Sequence, residues 1–385
     1  MAQQMKHLKT SLETIDDGNE DNKQQSKIYA KDSMDRFGDD LCALIVSYLT
    51  FEDRFRYECV SKQFRRTVFG SVVDINLNVK PIKREDNSKT PLIDFRGVGD
   101  TDQYILELFP TIQHKFPKLR EIYCNFTSNS DRWVQQLSPL VTRVGDISPA
   151  KKQSLTHCHR LSNLSVNSLS DVFDNTSGQL LAKNLHSFKI KRCDGSERLA
   201  RFVAGNQSLK FVDILCENPN HLTEMCGHLS RLPHLRKLTL GSVLMTGQTP
   251  MFHHSLRTIG VNCKQLKRLS LALVSKTSHL KSMNELKHYR RLTRLMIALK
   301  PLDSTLLSNY GQHLPPLQWL TILTDTITRE CLSHISRLPA LQTLVIHCNQ
   351  DIDLSDNDFN DVLSRSPKLK DIFISINNKN KLYSK

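Results

Sequence analysis

Residues 235–240 read Leu-Arg-Lys-Leu-Thr-Leu, and residues 266–271 read Leu-Lys-Arg-Leu-Ser-Leu. In both hexapeptides an apolar residue stands at the first, fourth and sixth positions, with polar residues between them. Ten copies of this order occur, and they begin at Leu119, Leu161, Leu185, Leu209, Leu235, Leu266, Leu292, Leu317, Leu341 and Leu369. Self-similarity at a period of roughly 20 to 50 residues is typical of repeat architectures, so one structural unit is predicted for each copy.

The stretches around the copies predict how each unit is built. A proline stands shortly before several of the first leucines, as at Pro233, which predicts a turn before a strand. The apolar residues within 222–229 have helical spacing, so a helix is predicted between strands. The wide gap after the first copy contains Val141-x-x-Val144, a degenerate copy, and the alternation over 72–79 predicts a further strand.

This pattern resembles the leucine-rich-repeat family and covers residues 119–374. The resemblance implies an α/β fold, a horseshoe-shaped solenoid with a parallel sheet on its concave side and helices on its convex side, here over residues 70–380. The strand and helix of one repeat cannot bury an apolar face alone, whereas stacked copies share a continuous core. The repeat leucines are therefore interpreted as core residues and not as a site.

The residues between the leucines predict a binding face. Neighbouring side chains of a strand point to opposite faces, so positions two, four and six residues after the first leucine are predicted to line the exposed concave side. The candidate target-binding residues there are Lys189, Lys191, Phe211, Lys237, Arg268, Arg294, Met296 and Trp319. Tryptophan and arginine are frequent interface anchors, and arginine clusters suit carboxylates and phosphates, so an acidic or phosphorylated partner is predicted. The alternative is a solvated polar surface whose protein contacts are made by loops.

The N-terminal part of the chain differs from the repeats. Residues 1–33 are polar, lack helical or strand periodicity, and are predicted to form a mobile tail. In residues 34–69, by contrast, Leu41, Leu44 and Tyr48 have helical spacing behind an acidic start, and a second helical segment follows. A unit of about 40 residues is too small for a strong core, so its apolar surface predicts a partner.

This N-terminal segment carries a specific series of residues. In order, they are Asp40-Leu41, Ile45, Ser47-Tyr48-Leu49, Asp53, Phe55, Val60-Ser61-Lys62 and Phe64-Arg65. The series resembles the F-box family, although the family's opening Leu-Pro is Phe37-Gly38 here. The resemblance implies a three-helix motif that docks on a Skp-type adaptor, which joins it to cullin and RING subunits. Carried over by position, the adaptor contacts would be Phe37, Leu41, Ile45, Tyr48, Leu49, Val60 and Phe64, some of which must instead pack the motif's own helices.

Composition narrows the function classes. The net charge of +14 favours an acidic partner but does not choose among nucleic acid, phosphorylated protein and an acidic surface. No apolar run approaches the roughly 18 residues of a membrane span, and the N-terminus lacks the apolar stretch of a secretory signal, so a cytoplasmic or nuclear location is predicted. Ten cysteines without a C-x-x-C pair predict buried thiols and no disulfides.

Signatures of catalysis are missing from the sequence, which has no phosphate-binding loop, nucleophile elbow or zinc-protease motif. The clusters His157-Cys158-His159 and His253-His254 lack a second ligand pair at zinc spacing and are interpreted as ordinary loop residues. The two resemblances together imply a non-catalytic substrate-recognition subunit of an SCF-type ubiquitin ligase, without cofactors. Two alternatives stay open, a leucine-rich scaffold with no ligase role and a nucleic-acid binder that uses the basic face.

Overall fold

The structure is a computed structural model of the 385-residue chain. It describes residues 38–49, 51–70, 72, 74–78, 92–94, 114, 116, 119–126, 135, 137–193, 196–216, 222–242, 252–273, 284–299, 316–350, 352–377 and 379–385. The predicted tail, residues 1–33, and Phe37 lie outside the described residues. The chain divides into two compact units, residues 1–161 and 162–385.

The first unit combines three helices with a small parallel sheet. Its helices are α1 (Asp39–Tyr48), α2 (Phe51–Arg56) and α3 (Lys62–Gly70). Its strands are β1 (Asp74–Asn78), β2 (Leu92–Asp94), β3 (Glu121–Phe126) and β4 (Arg143–Ile147), in the order β2-β1-β3-β4, and a 3-10 helix covers Pro149–His157. The strand predicted over 72–79 and the degenerate copy at Val141 are thereby confirmed as β1 and β4.

Local polar contacts set the ends of these helices. Asp39 lies in the first turn of α1, where a carboxylate favours the helix dipole. It also accepts a hydrogen bond of 2.8 Å from the side chain of Gln63, which joins α1 to α3. Ser61 caps α3, because its hydroxyl accepts the Phe64 N–H at 3.0 Å. Helix α2 ends at Arg56, and residues 57–60 form a turn that leads to α3.

The second unit is built on ten described strands. They are β5 (Asn163–Ser168), β6 (Ser187–Arg192), β7 (Phe211–Cys216), β8 (Lys237–Ser242), β9 (Arg268–Leu273), β10 (Arg294–Leu299), β11 (Trp319–Thr324), β12 (Thr343–Cys348), β13 (Asp371–Ile376) and β14 (Lys379–Ser384). Its helices are α4 (Ser196–Gly205), α5 (Leu222–Leu229), α6 (Phe252–Asn262), α7 (Arg329–Ser336) and α8 (Asp356–Arg365). Consecutive strands pair in chain order to form an open sheet.

The strands follow the repeat closely. Each copy forms a strand that begins two residues after its first leucine, and equivalent positions pair across strands, as Leu238 with Leu269 and Leu269 with Leu295. The apolar residues at the fourth and sixth positions are buried, whereas the residues two and four positions after the first leucine are mostly exposed or half-buried. The second unit is therefore a mostly parallel sheet with one covered and one open face, and it resembles a leucine-rich-repeat solenoid.

A repeated backbone contact fixes where each strand starts. The carbonyl of the residue after the first leucine accepts two N–H groups from the next repeat. The Arg236 carbonyl accepts from Lys267 at 2.9 Å and Arg268 at 3.0 Å, and the Lys267 carbonyl accepts from Thr293 and Arg294, both at 3.0 Å. The same double contact recurs along the second unit, so it holds the register of neighbouring strands.

The connections are less regular than predicted. Helices α4 to α8 fill several of them, but the 3-10 helices Leu169–Val172 and Glu285–His288 occupy two others. The prediction of one α-helix per repeat is therefore corrected for those copies. Within the part of the chain that the structure describes, no helix has the length and apolar character that a membrane crossing requires.

Asn206 joins two repeats at the end of α4. Its side chain is fully buried, and its amide donates to the carbonyls of Ala182 at 3.1 Å and Phe202 at 3.0 Å. Its side-chain oxygen accepts the Leu185 N–H at 3.0 Å. A single buried amide thus satisfies three backbone groups that would otherwise lack partners away from water.

Strand β14 pairs antiparallel with β13 at one edge of the sheet. The turn between them uses a left-handed Asn377, with φ of 46°. Tyr383 stacks on Phe359 of α8 at 5.2 Å between ring centroids, and its hydroxyl donates to Asp356 at 2.5 Å. The Lys381 ammonium also donates to Asp356, at 2.9 Å, and these two hydrogen bonds lower the pKa of the Asp356 carboxyl.

Candidate functional site

The first candidate surface lies on α1. Leu41, Leu44 and Tyr48 share one face of the helix, and Leu44 is 52% exposed and Tyr48 81% exposed. Cys42 and Val46, on the other side, are buried. An amphipathic helix ordinarily turns its larger apolar stripe toward the core. Helix α1 instead buries two smaller side chains and presents its larger apolar residues to solvent.

The turn after α2 carries further exposed apolar side chains. Tyr57 and Val60 are exposed apolar residues, and the exposed Cys59 lies between them. The helical surface is defined here as Leu41, Leu44, Tyr48, Tyr57 and Val60. Single exposed apolar residues are ordinary, but several on one small unit mark an interaction site.

The structure separates the predicted adaptor contacts by their burial. Leu41, Tyr48 and Val60 are exposed, and Ile45 and Leu49 are half-buried. Phe64 is only 2% exposed and belongs to the core of the first unit, so its prediction as an adaptor contact is corrected. Leu44 and Tyr57 were not among the predicted adaptor contacts. The helical spacing had already placed Leu44 in the apolar stripe of α1, whereas nothing in the sequence around Tyr57 indicates exposure.

The second candidate surface is the open face of the sheet in the second unit. Phe211, Lys237, Arg268, Arg294 and Trp319 occupy equivalent positions on five successive strands, β7 to β11. Paired strands lie about 4.8 Å apart, so these side chains form one row. The Arg294 guanidinium lies 5.2 Å from the centre of the Trp319 ring, a cation–π contact at the end of the row.

The other three predicted residues lie outside this row. Lys189 is 3.6 Å from the carboxylate of Asp213, and Lys191 donates to the side chain of Asn167 at 3.0 Å. These two lysines therefore have partners within the protein. Met296 is exposed on β10, two residues after Arg294.

Three cations at the starts of these strands were not among the predicted binding residues. Lys210, Arg236 and Lys267 stand one position after the first leucine in three successive copies, immediately before their strands. Reading that position in every copy would have found them, because the alternation rule considers only residues within the strands. The basic block is defined here as Lys210, Arg236, Lys237, Lys267, Arg268 and Arg294.

The basic block is a concentration of uncompensated charge. Lys237 and Arg268 are direct neighbours in register, as are Arg268 and Arg294. Among the described residues, no carboxylate forms an ion pair with any member of the block. Two like charges on neighbouring strands repel by up to about 1 kcal/mol in water, and a bound anion would relieve that repulsion.

An apolar strip lies farther along the same open face. It is defined here as Met296, Val345, Phe373 and Leu382. Val345 pairs with Phe373, and Phe373 pairs with Leu382, so these three side chains lie on adjacent strands and point to the same side. Phe373 is 40% exposed and Leu382 58% exposed.

The histidine and cysteine clusters do not form a metal centre among the described residues, which contain no suitable group of three or more His, Cys, Asp or Glu. His253 and His254 lie in α6 and not in a loop as predicted, and their rings are tilted against each other with centroids 4.4 Å apart. Cys158 is buried, and burial raises the pKa of its thiol to about 11. Burial raises the pKa of Cys263 to about 12. These thiols are protonated core residues at neutral pH.

Comparisons with known proteins give no family for this chain. No family model matches the chain. No curated protein matches it either. Among solved structures, the leucine-rich repeat-containing protein LegL7 from Legionella pneumophila is similar, with a TM-score of 0.45 and 15% sequence identity, over 67% of this chain and 92% of LegL7.

Proposed function

We propose that this chain is the substrate-recognition subunit of an SCF-type ubiquitin ligase, in which α1 to α3 dock on a Skp-type adaptor. The observation that carries the proposal is the outward-facing stripe of α1, where Leu44 and Tyr48 are exposed while Val46 is buried. A helix in that orientation has its apolar contact area available for a partner. The resemblance of residues 37–66 to an F-box indicates that this partner is a Skp-type adaptor. The adaptor would join the chain to cullin and RING subunits.

The second half of the proposal concerns the repeats. The open face of the second unit carries the basic block and the apolar strip, and it is the surface on which a target protein would bind. The chain has no catalytic step of its own in this proposal. It holds the target close to the ubiquitin donor, which raises their effective concentration, in the cytoplasm or the nucleus.

The double substitution Leu44→Asp/Tyr48→Asp tests the docking half. Charges in place of two exposed apolar anchors are expected to weaken adaptor binding by about 2 kcal/mol or more, roughly thirtyfold in Kd. The measurement is the affinity of the purified full chain for a recombinant Skp-type adaptor. Co-purification of cullin from cells should be lost in parallel.

A matched control is Phe373→Asp/Leu382→Asp, which replaces two exposed apolar residues in the second unit. It should bind the adaptor like the wild type. If the wild-type chain does not bind the adaptor, or if both double variants bind it equally well, the ligase role is wrong. The leucine-rich scaffold without a ligase role would then be the better description.

Cys59 offers a second measurement without mutation. It is exposed between Tyr57 and Val60, so iodoacetamide at pH 8 should label it in the free chain. Buried thiols such as Cys263, whose pKa is raised to about 12, should remain unlabelled until the chain is denatured. Saturating adaptor is expected to protect Cys59, as read by mass spectrometry of the labelled peptides. Unchanged labelling of Cys59 in a stable complex would place the adaptor elsewhere.

A further inference from the structure

We propose that the open face of the second unit binds an extended protein segment in which a run of aspartates or glutamates is followed by apolar residues. The basic block holds the acidic run, and the apolar strip holds the apolar residues. The inference rests on the proposed function in that it names the chemistry of the target segment. It uses no contact made by the helical surface.

The layout of the cations favours a run of carboxylates. A single phosphate is best held by arginines that converge on one point. Here Lys237, Arg268 and Arg294 stand on three successive strands, each about 4.8 Å from the next. Lys210, Arg236 and Lys267 immediately precede β7, β8 and β9, so they recur once per strand as well. Cations spread evenly along a line match charges repeated along a peptide.

The apolar strip makes the two ends of the open face chemically different, so a bound segment has one preferred orientation. Arg294 and Met296 are both on β10, with the Trp319 ring beside Arg294 on the next strand. Beyond this junction the exposed residues Phe373 and Leu382 carry no charge. A nucleic-acid strand bears phosphate along its whole length and has no aliphatic groups to place there. A protein segment can change from acidic to apolar within a few residues.

The dimensions set the length of the segment. From Lys237 on β8 to Leu382 on β14 there are six strand-to-strand steps, or about 29 Å at about 4.8 Å each. An extended chain advances about 3.3 Å per residue, so about nine residues cross this distance. Roughly half of them would lie over the basic block and half over the apolar strip.

The probe is a fluorescein-labelled synthetic peptide of about ten residues, with a run of glutamates followed by alternating leucine and threonine. Its binding to the full chain is measured by fluorescence anisotropy without adaptor. A peptide of the same composition with glutamate and leucine interleaved is the first comparison and is expected to bind at least about tenfold more weakly, since neither end matches its half of the face. Phosphoserine peptides and single-stranded RNA of equal charge complete the set and are expected to bind more weakly too.

Two charge reversals separate the basic block from general electrostatics. Lys237→Glu/Arg268→Glu is expected to weaken binding at least about tenfold. The matched control Lys189→Glu/Lys191→Glu makes the same change in net charge on the same face but outside the block, and it is expected to change binding by less than about threefold. Phe373→Ser/Leu382→Ser should weaken binding of the designed peptide while leaving binding of an all-glutamate peptide unchanged.

Three results would overturn the inference. One is equal weakening of peptide binding by both charge reversals, which would show that the net positive charge of the protein, and not the basic block, attracts the peptide. Another is equal binding of the designed and the interleaved peptides, which would show that the order of acidic and apolar residues does not matter. The third is tighter binding of the RNA or of the phosphoserine peptide. Leu44→Asp/Tyr48→Asp should bind the peptide normally, so failure here and failure of adaptor docking are read in separate assays.

Discussion

Val46→Asp is expected to unfold helices α1 to α3, whereas Tyr48→Asp, two positions along the same helix, is expected to leave them folded. Val46 is 1% exposed and contributes to the small core of the first unit. An unpaired carboxylate buried there costs about 4 kcal/mol, which is more than a short helical unit can absorb. Tyr48 projects into solvent, so an aspartate at that position keeps its hydration.

Hydrogen exchange measured by mass spectrometry over residues 39–70 distinguishes the two variants. Val46→Asp should lose the protection of all three helices, while Tyr48→Asp should match the wild type. The comparison also helps to interpret the adaptor experiment. A Tyr48 variant that is folded but does not bind the adaptor has lost surface contacts and not its fold. Equal protection in both variants, or loss in Tyr48→Asp alone, would mean that the faces of α1 are assigned the wrong way round.

Asn206→Ala is expected to lower the free energy of unfolding of the second unit by about 3 kcal/mol. The substitution leaves the Leu185 N–H and the carbonyls of Ala182 and Phe202 without their buried partner. Each unsatisfied buried group costs at least about 1 kcal/mol. The alanine side chain has no polar atom that could replace any of the three hydrogen bonds. Urea denaturation followed by circular dichroism should show a lower midpoint with little change in slope.

The adjacent residue provides the control for that experiment. Gln207 is exposed, and its side-chain amide donates a hydrogen bond to the Val203 carbonyl at 2.7 Å. Gln207→Ala is therefore expected to cost about 1 kcal/mol or less, since water can reach the carbonyl that it leaves. Similar midpoints for the two variants would show that the buried amide of Asn206 does not join the repeats.

The repeat strands were predictable because their signal is local and recurs. A first leucine followed by apolar residues at two fixed positions identified the strands of the ten copies, and Val141-x-x-Val144, which keeps apolar residues only at the first and fourth positions, identified β4. Strand β14 was not predicted. Its sequence, Lys-Asn-Lys-Leu-Tyr-Ser, has weak strand character, and contacts of Tyr383 and Lys381 with Asp356 hold it against α8. Such tertiary contacts leave no local trace in the sequence.

The candidate surfaces were predictable only in part, for two physical reasons. Helical spacing groups residues on a face but does not say whether that face is buried. Leu41 and Tyr48 are exposed, whereas Phe64, which the same resemblance suggested as a contact, is buried. Alternation along a strand located Lys237 and Arg268, but it omitted Arg236, whose position before the strand is set by the shared backbone carbonyl.

The paired carbonyl contacts at the strand starts allow whole repeats to be removed from the proposed target-binding surface or added to it. Since each repeat is joined to its neighbours by the same backbone geometry, removal or duplication of one whole repeat should preserve the alignment of the others. Such an edit would shorten or lengthen the surface by about 4.8 Å, one strand width. In the proposed binding mode the length of the bound segment is therefore matched in steps of one strand, and selectivity for that length could be engineered in discrete increments.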